Sequence, residues 1–211
     1  MARIRALPSH HSLRFRPENY FIPLNWDDVF ETNRPLEIEL GAGDGSFLIR
    51  YAASRPEINL LGIERLLGRM RKIDRDTHRS GVKNVQLFRI EAGYFLTYLA
   101  PPKSVQAIHV YFPDPWPKIR HHKKRLINEE FVEKCAQILE PNGSVYLRTD
   151  HLNYFRQMQK VFLGDERFKP TDTPNSLKAI KTDFEAHFNQ LGIQTQYANY
   201  QLQSLAPSPS T

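Results

Sequence analysis

Cysteine is almost absent: the chain of 211 residues has one, Cys135. A single thiol excludes a disulfide framework and any cysteine-rich metal site, and it fits a reducing cytosol. Long apolar runs are missing too. Nothing approaches the roughly 18 consecutive apolar residues of a membrane helix, and no apolar stretch follows the basic N-terminus as a secretion signal would. No internal repeat is visible. The adjacent histidines His121 and His122 have no acid or cysteine beside them at ligand spacing, so no metal is expected there. The expectation is a soluble, cytoplasmic protein without a metal, either monomer or homodimer.

What is present is enough for a packed domain. Hydrophobic residues make up 40% and charged residues 25%, which argues against wholesale disorder. Lysine and arginine outnumber the acids 29 to 23, a net charge of +6. A basic balance attracts polyanions, and the charge is concentrated. Lys118, Arg120, Lys123, Lys124 and Arg125 follow one another with no acid between them. A second basic run, Arg65 to Arg79, is diluted by Asp74 and Asp76 and reads as a solvated helix face.

Periodicity sets the frame. LEIEL (36–40), NLLGI (59–63), 85–90, VQAIHVYF (105–112), 144–148 and 194–202 read as strands. The segments 26–31, 46–54, 66–80, 92–99, 127–139, 151–163 and 182–191 read as helices, and 165–176 as a loop. Strands alternating with helices imply an α/β fold with a mostly parallel sheet covered on both faces. Residues 1–25 read as a basic arm, 26–202 as the domain, and 203–211 as a low-complexity, disordered tail.

In such a sheet, ligands gather beyond the carboxyl ends of the strands. Five such ends carry chemistry: GAGDG (41–45), Glu64, Glu91, PDPWPK (113–118) and Asp150. Gly41 and Gly43 sit in a strand-to-helix turn that lets a ligand approach the backbone. Glu64 suits ribose hydroxyls and Glu91 an adenine amino group. Asp44 within the turn and Glu39 before it would repel a pyrophosphate and attract a cation, which favours S-adenosylmethionine over NAD or ATP. The prolines around Asp114 fix its backbone, Trp116 offers a face for base stacking, and Lys118 adds a cation. Arg120, His121, His122, Lys123, Lys124 and Arg125 form a track for phosphates. Cys135 sits in a helical run and reads as core.

These residues resemble the bacterial tRNA (guanine-N7-)-methyltransferases. HVYFPDPWPKIRHHKKRL (109–126) is similar to that family's signature, and ELGAGDG, GIE (62–64), YLRTD (146–150) and KTDFE (181–185) match further motifs in order. The resemblance spans about residues 35–200. It implies a Rossmann-like class I methyltransferase with a mostly parallel seven-stranded sheet, acting on tRNA, with a variable-loop guanine as target. It further implies S-adenosylmethionine on Glu39, Glu64, Glu91 and Asp114, with Asp114 as the catalytic aspartate. Substrate contacts fall on Lys118, Asp150, Thr182, Asp183, Phe184 and Glu185, and RNA contact on Arg120 to Arg125. Four positions depart from the family: Glu91 where aspartate is commoner, Ile119 and Ile127 in place of more polar residues, and Asp183 where glutamate is frequent.

Three other readings fit parts of the pattern. An amino-methyltransferase acting on adenine or cytosine uses a D-P-P-[YWF] loop, whereas the order here is D-P-W-P. A methyltransferase fold could grip RNA without catalysis. An NAD-dependent oxidoreductase would have to tolerate an acidic glycine turn.

Overall fold

The computed structural model describes residues 12–204. The first residues of the expected basic arm and most of the expected tail lie outside that range. Eight strands form one sheet: β1 (Arg14–Phe15), β2 (Leu36–Leu40), β3 (Asn59–Ile63), β4 (Val85–Phe88), β5 (Val105–Tyr111), β6 (Leu139–Thr149), β7 (Phe168–Thr171) and β8 (Gln196–Leu202). Their order is β1-β4-β3-β2-β5-β6-β8-β7. All recorded pairings are parallel except those of β8, which runs antiparallel to β6 and β7. The helices are α1 (Trp26–Val29), α2 (Ser46–Ser54), α3 (Leu67–Ser80), α4 (Ala92–Tyr94), α5 (Glu129–Ile138), α6 (Leu152–Leu163), α7 (Asn175–Ala179) and α8 (Asp183–Gln190).

Two apolar clusters cover the two faces of the sheet. Ile38, Leu40, Ile63 and Val110 pack with Phe131, Tyr154 and Phe162 from α5 and α6. Leu60, Leu87 and Tyr111 pack with Phe47, Leu48, Met70 and Ile73 from α2 and α3. Alternate residues of one strand therefore serve opposite layers. In β2 this places Glu37 and Glu39 on the α2 face, both buried.

The sheet has one strand more than the seven expected. Arg14–Phe15, assigned to an irregular arm, pairs with Leu87 and Phe88 of β4, and nearby Leu24 is a core residue. β7, with the sequence FKPT, lies inside the segment read as a loop. It is an edge strand, where a proline costs no ladder bond, so neither apolar alternation nor absence of proline marks it. The strand read as 144–148 begins at Leu139. A register shift carries the chain from the Val105–Leu139 pair to the Ala107–Ser144 pair, and the intervening Pro-Asn-Gly mimics a strand boundary. The helix read as 92–99 is a short α-turn followed by a π-helix over Phe95–Leu99.

The chain runs outward from β2 to β4, then crosses back to β5 on the other side of β2. The direction of the strand order changes between β2 and β5, which is where an open α/β sheet forms its crevice.

Candidate active site

A cleft of about 430 Å³ opens at that crossover. Its walls come from the carboxyl ends of four strands: Leu40 and Gly41 after β2, Glu64 after β3, Glu91 after β4, and Tyr111 to Asp114 with Trp116 after β5. Four of the five expected strand ends thus meet. Asp150, after β6, is half-buried and is not among the lining residues.

The glycine turn is pinned to β3. The amides of Gly41 and Ala42 both donate to the Ile63 carbonyl, at 2.8 and 2.9 Å. Gly45 has φ +81°, and a Cβ there would lie 2.8 Å from the Ile73 side chain, so α2 and α3 can approach only over a glycine. Glu64 accepts from Gly43 N at 3.1 Å and from Leu66 N at 2.7 Å. Its carboxylate bridges the turn and the start of α3.

Glu39 is 2% exposed, and its Oε2 has no hydrogen-bond partner among the described residues. Burial pushes its carboxyl well above the usual range; the Arg148 charge opposes that push, while Asp44 and Glu64 add to it. Two residues earlier on the same strand the outcome reverses. Burial also raises Glu37, but the bonds and charge of His109 and the bond from Tyr51 outweigh it and hold Glu37 below its ordinary value. Glu37 Oε2 lies 2.7 Å from His109 Nε2 and 2.9 Å from the Tyr51 hydroxyl. His109 Nδ1 in turn sits 2.7 Å from the Tyr111 hydroxyl. Glu37 is a satisfied structural acid, whereas Glu39 keeps an unsatisfied oxygen, and a buried oxygen without a donor is costly unless a ligand supplies one.

The Pro-Asp-Pro loop is held under strain. Phe112 and Trp116 adopt φ of 51° and 42°, conformations that cost a non-glycine residue about 1–3 kcal/mol and cluster at functional sites. Phe112 N donates to the Arg148 carbonyl at 2.8 Å, and Arg125 Nε donates to the Pro115 carbonyl at 2.7 Å. Asp114 is exposed between these fixed points and accepts no hydrogen bond among the described residues.

Several expected roles change. Arg125 is 2% exposed. Besides Pro115 it donates to Gln157 Oε1 at 2.6 Å and Asn153 Oδ1 at 2.9 Å, and its guanidinium covers the Tyr154 ring at 4.8 Å. It anchors the loop and has no face left for a phosphate. Lys118 starts the 3-10 turn Ile119–Lys124 and lies outside the cleft lining. Of this basic run, Lys124 lines the cleft, its Nζ 4.8 Å over the Trp116 ring. His121 meets the same ring edge-on at 5.7 Å. Arg120 Nε donates to His121 Nε2 at 3.3 Å, and His122 is half-buried beside it. Glu91 caps α4 by accepting from Gly93 N and Tyr94 N, at 2.9 and 2.7 Å. A carboxylate that already accepts two backbone bonds keeps only its remaining lone pairs for a ligand.

The KTDFE segment divides in two. Thr182 caps α8, and Asp183 joins it to α2 through Arg50 at 2.8 Å and Ser46 Oγ at 2.9 Å. Phe184 is 43% exposed and stacks on Phe188 and against Phe112 of the loop. Glu185, by contrast, is sealed at 0% exposure, bonded to Arg148 and Tyr197. Its bonds serve the packing of α8 against β6 and β8.

Arg148 had no assigned role in the sequence. It is 1% exposed, bonds Ile180 O, Leu177 O and Glu185, and lies 4.0 Å from the Tyr111 ring. The signal was an arginine inside a strand otherwise apolar at that point, which demands a buried partner.

Comparison with known proteins narrows the class. Residues 33–198 match a family model described as "Putative methyltransferase". The tRNA (guanine-N(7)-)-methyltransferase of Geobacter metallireducens is 38% identical over 152 residues, covering 72% of each chain. That of Chlamydia abortus is 33% identical, covering 83% of this chain and 80% of its own. The Thermotoga maritima enzyme of the same name is 30% identical, and the alignment spans 58% of that longer protein. Among solved structures, the 16S rRNA methyltransferase KamB superposes with a TM-score of 0.63 at 14% identity, over 85% of this chain and 93% of its own. TrmN from Thermus thermophilus gives 0.58 at 14% identity, over 80% of this chain and 45% of its own. At that identity the structures speak for the fold alone. The sequence relatives go further, and by them the chain belongs to the tRNA (guanine-N(7)-)-methyltransferase family.

Proposed function

We propose that this protein transfers a methyl group from S-adenosylmethionine to N7 of a guanine in tRNA, forming 7-methylguanosine, with a variable-loop guanine as target and the cytoplasm as its compartment. The observation that carries this reading is the shared cleft: the glycine turn, Glu64 and the Asp114–Trp116 loop line one cavity.

The residues present fit the methyl donor. The unpartnered Glu39 Oε2 suits an ammonium group, and the Glu64 carboxylate, held at the cleft wall by two amides, suits ribose hydroxyls. When bound, S-adenosylmethionine supplies an electrophilic methyl on a sulfonium.

Guanine N7 carries an in-plane lone pair and needs no deprotonation before it attacks. The protein's task is positioning, which supplies about 7–11 kcal/mol in favourable cases, together with preorganised charge. Asp114, fixed between two prolines, accepts from guanine N–H groups and stabilises the positive charge that develops on the base. Lys124 and Trp116 form the adjacent lip. The exposed Arg120 and Lys123 meet the backbone of the RNA.

The test is transfer of a labelled methyl group to unmodified tRNA, with digestion and identification of the nucleoside. 7-Methylguanosine is expected. A methylated adenine or cytosine would redirect the reading to an amino-methyltransferase. Tight cofactor binding without transfer would leave an RNA-binding module.

A further inference from the structure

The cleft has further basic lining residues, on a different element from the Ile119–Lys124 turn. Arg65 and Arg69, at the start of α3, line the cleft together with Glu64 and Leu66. The two acids of that helix are engaged elsewhere. Asp76 is met by Lys72, Arg75 and Arg79 at 3.0, 3.4 and 3.6 Å. Asp74 is met by Arg14 and His78 at 3.1 and 3.6 Å and by Ser12 Oγ at 3.0 Å. Both acids of the helix are therefore engaged away from the arginines at its cleft end. The Arg65 guanidinium is exposed, with no hydrogen bond or ion pair among the described residues. Arg69 Nη1 stands 4.0 Å from Glu64 Oε2, its side chain 59% exposed, while both Glu64 oxygens already accept backbone amides. A third guanidinium joins them, since exposed Arg89 donates from Nε to the Arg65 carbonyl at 3.2 Å.

We infer that Arg65 and Arg69, backed by Arg89, form a second phosphodiester-binding edge, which grips the RNA on the opposite side of the target nucleotide from Lys123 and Lys124. The inference rests on the proposed RNA substrate and adds the path of its backbone. A nucleotide drawn into a cleft brings the chain in over one rim and out over the other. Cations on one rim alone would leave the second phosphate unpaired. Three planar guanidiniums suit phosphate oxygens, to which they offer bidentate donors. Methyl transfer itself needs no cation here, because the donor is positively charged.

The experiment measures tRNA affinity of the full chain between 50 and 200 mM salt for wild type, R65Q/R69Q, K123Q/K124Q and R71Q. Arg71 is exposed on the same helix but does not line the cleft, so R71Q reports on unspecific basicity. Each neutralised phosphate contact contributes about 0.7–0.9 to the slope of log affinity against log salt. R65Q/R69Q is expected to lower that slope by about 1.5 and weaken binding at least tenfold at the lowest salt. R71Q keeps the wild-type slope, and S-adenosylhomocysteine affinity stays within twofold throughout. An unchanged slope in R65Q/R69Q, an equal fall in R71Q, or a loss confined to S-adenosylhomocysteine binding would overturn the inference. A wild type that shows no affinity for tRNA would remove the functional reading itself, a result distinct from these three.

Discussion

Arg148 and Glu185 pair at 2.9 Å with both side chains closed to solvent, at 1% and 0% exposure. The pair ties β6 to α8, and it holds the guanidinium against Tyr111, which lines the cleft. Fold and site therefore share one contact.

Breaking that pair from one side strands a buried charge. Arg148→Met is expected to cost about 3–5 kcal/mol, the usual range for removing one partner of a buried ion pair, read as a lower midpoint in urea unfolding. Replacing both partners in R148M/E185L should be markedly less damaging than the sum of the single changes, because no charge is then left uncompensated. Full additivity would mean that the two side chains do not depend on each other.

Arg125 and its neighbours Lys123 and Lys124 should separate cleanly. Arg125→Ala removes three charge-assisted bonds around Pro115, Asn153 and Gln157, each worth about 1.5–3 kcal/mol at most and less where water replaces the partner. It should lower the melting temperature by several degrees. K123A/K124A should leave stability within about 0.5 kcal/mol, as surface changes usually do, while flattening the salt dependence of tRNA binding. The reverse pattern would mean that the burial of Arg125 is irrelevant in solution.

That contrast also shows where sequence reading reaches its end. The strand ends, the glycine turn and the Asp114 loop were legible because glycine, proline and period-two apolar runs act locally. IRHHKKR looks uniform as a sequence, yet the fold buries its last arginine and exposes its lysines, since only tertiary packing decides which cation meets Asn153 and Gln157. In LEIEL, Glu39 stands out by its place beside the glycine turn, but nothing local marks Glu37 as a satisfied acid. What distinguishes Glu37 from Glu39 is His109, which lies 72 residues further along the chain. β7 stayed hidden because an edge strand can carry Lys169 and Pro170 without penalty.

Asp114 is exposed and accepts no hydrogen bond among the described residues, which under the proposed mechanism leaves its carboxylate for the base. Asp114→Asn keeps the shape and removes the charge. Turnover should fall about 10²–10³-fold, the scale seen when one preorganised electrostatic group is lost, with S-adenosylhomocysteine affinity changed less than threefold. Equal losses in both would make Asp114 a ligand of the methyl donor instead of a group acting on guanine.

Glu39 links pH, stability and ligand binding. Its carboxyl is raised in the folded state, chiefly by burial. The unfolded chain releases that proton near the ordinary glutamate value of about 4.3. Above that pH and up to the raised value, the folded state binds more protons than the unfolded one, so this group's contribution to stability declines as pH rises. Glu39→Gln fixes the neutral form. It should melt higher than wild type near pH 8, with the gap closing toward pH 4. Binding should show the opposite sign: an ammonium partner needs the carboxylate, so wild-type affinity for S-adenosylhomocysteine should increase with pH over the same window. E39Q should bind at least about tenfold more weakly and lose most of that dependence. Calorimetry and thermal scans at matched pH read both quantities. A variant that gains stability and keeps its affinity would show that the unpartnered oxygen does not meet the ammonium group.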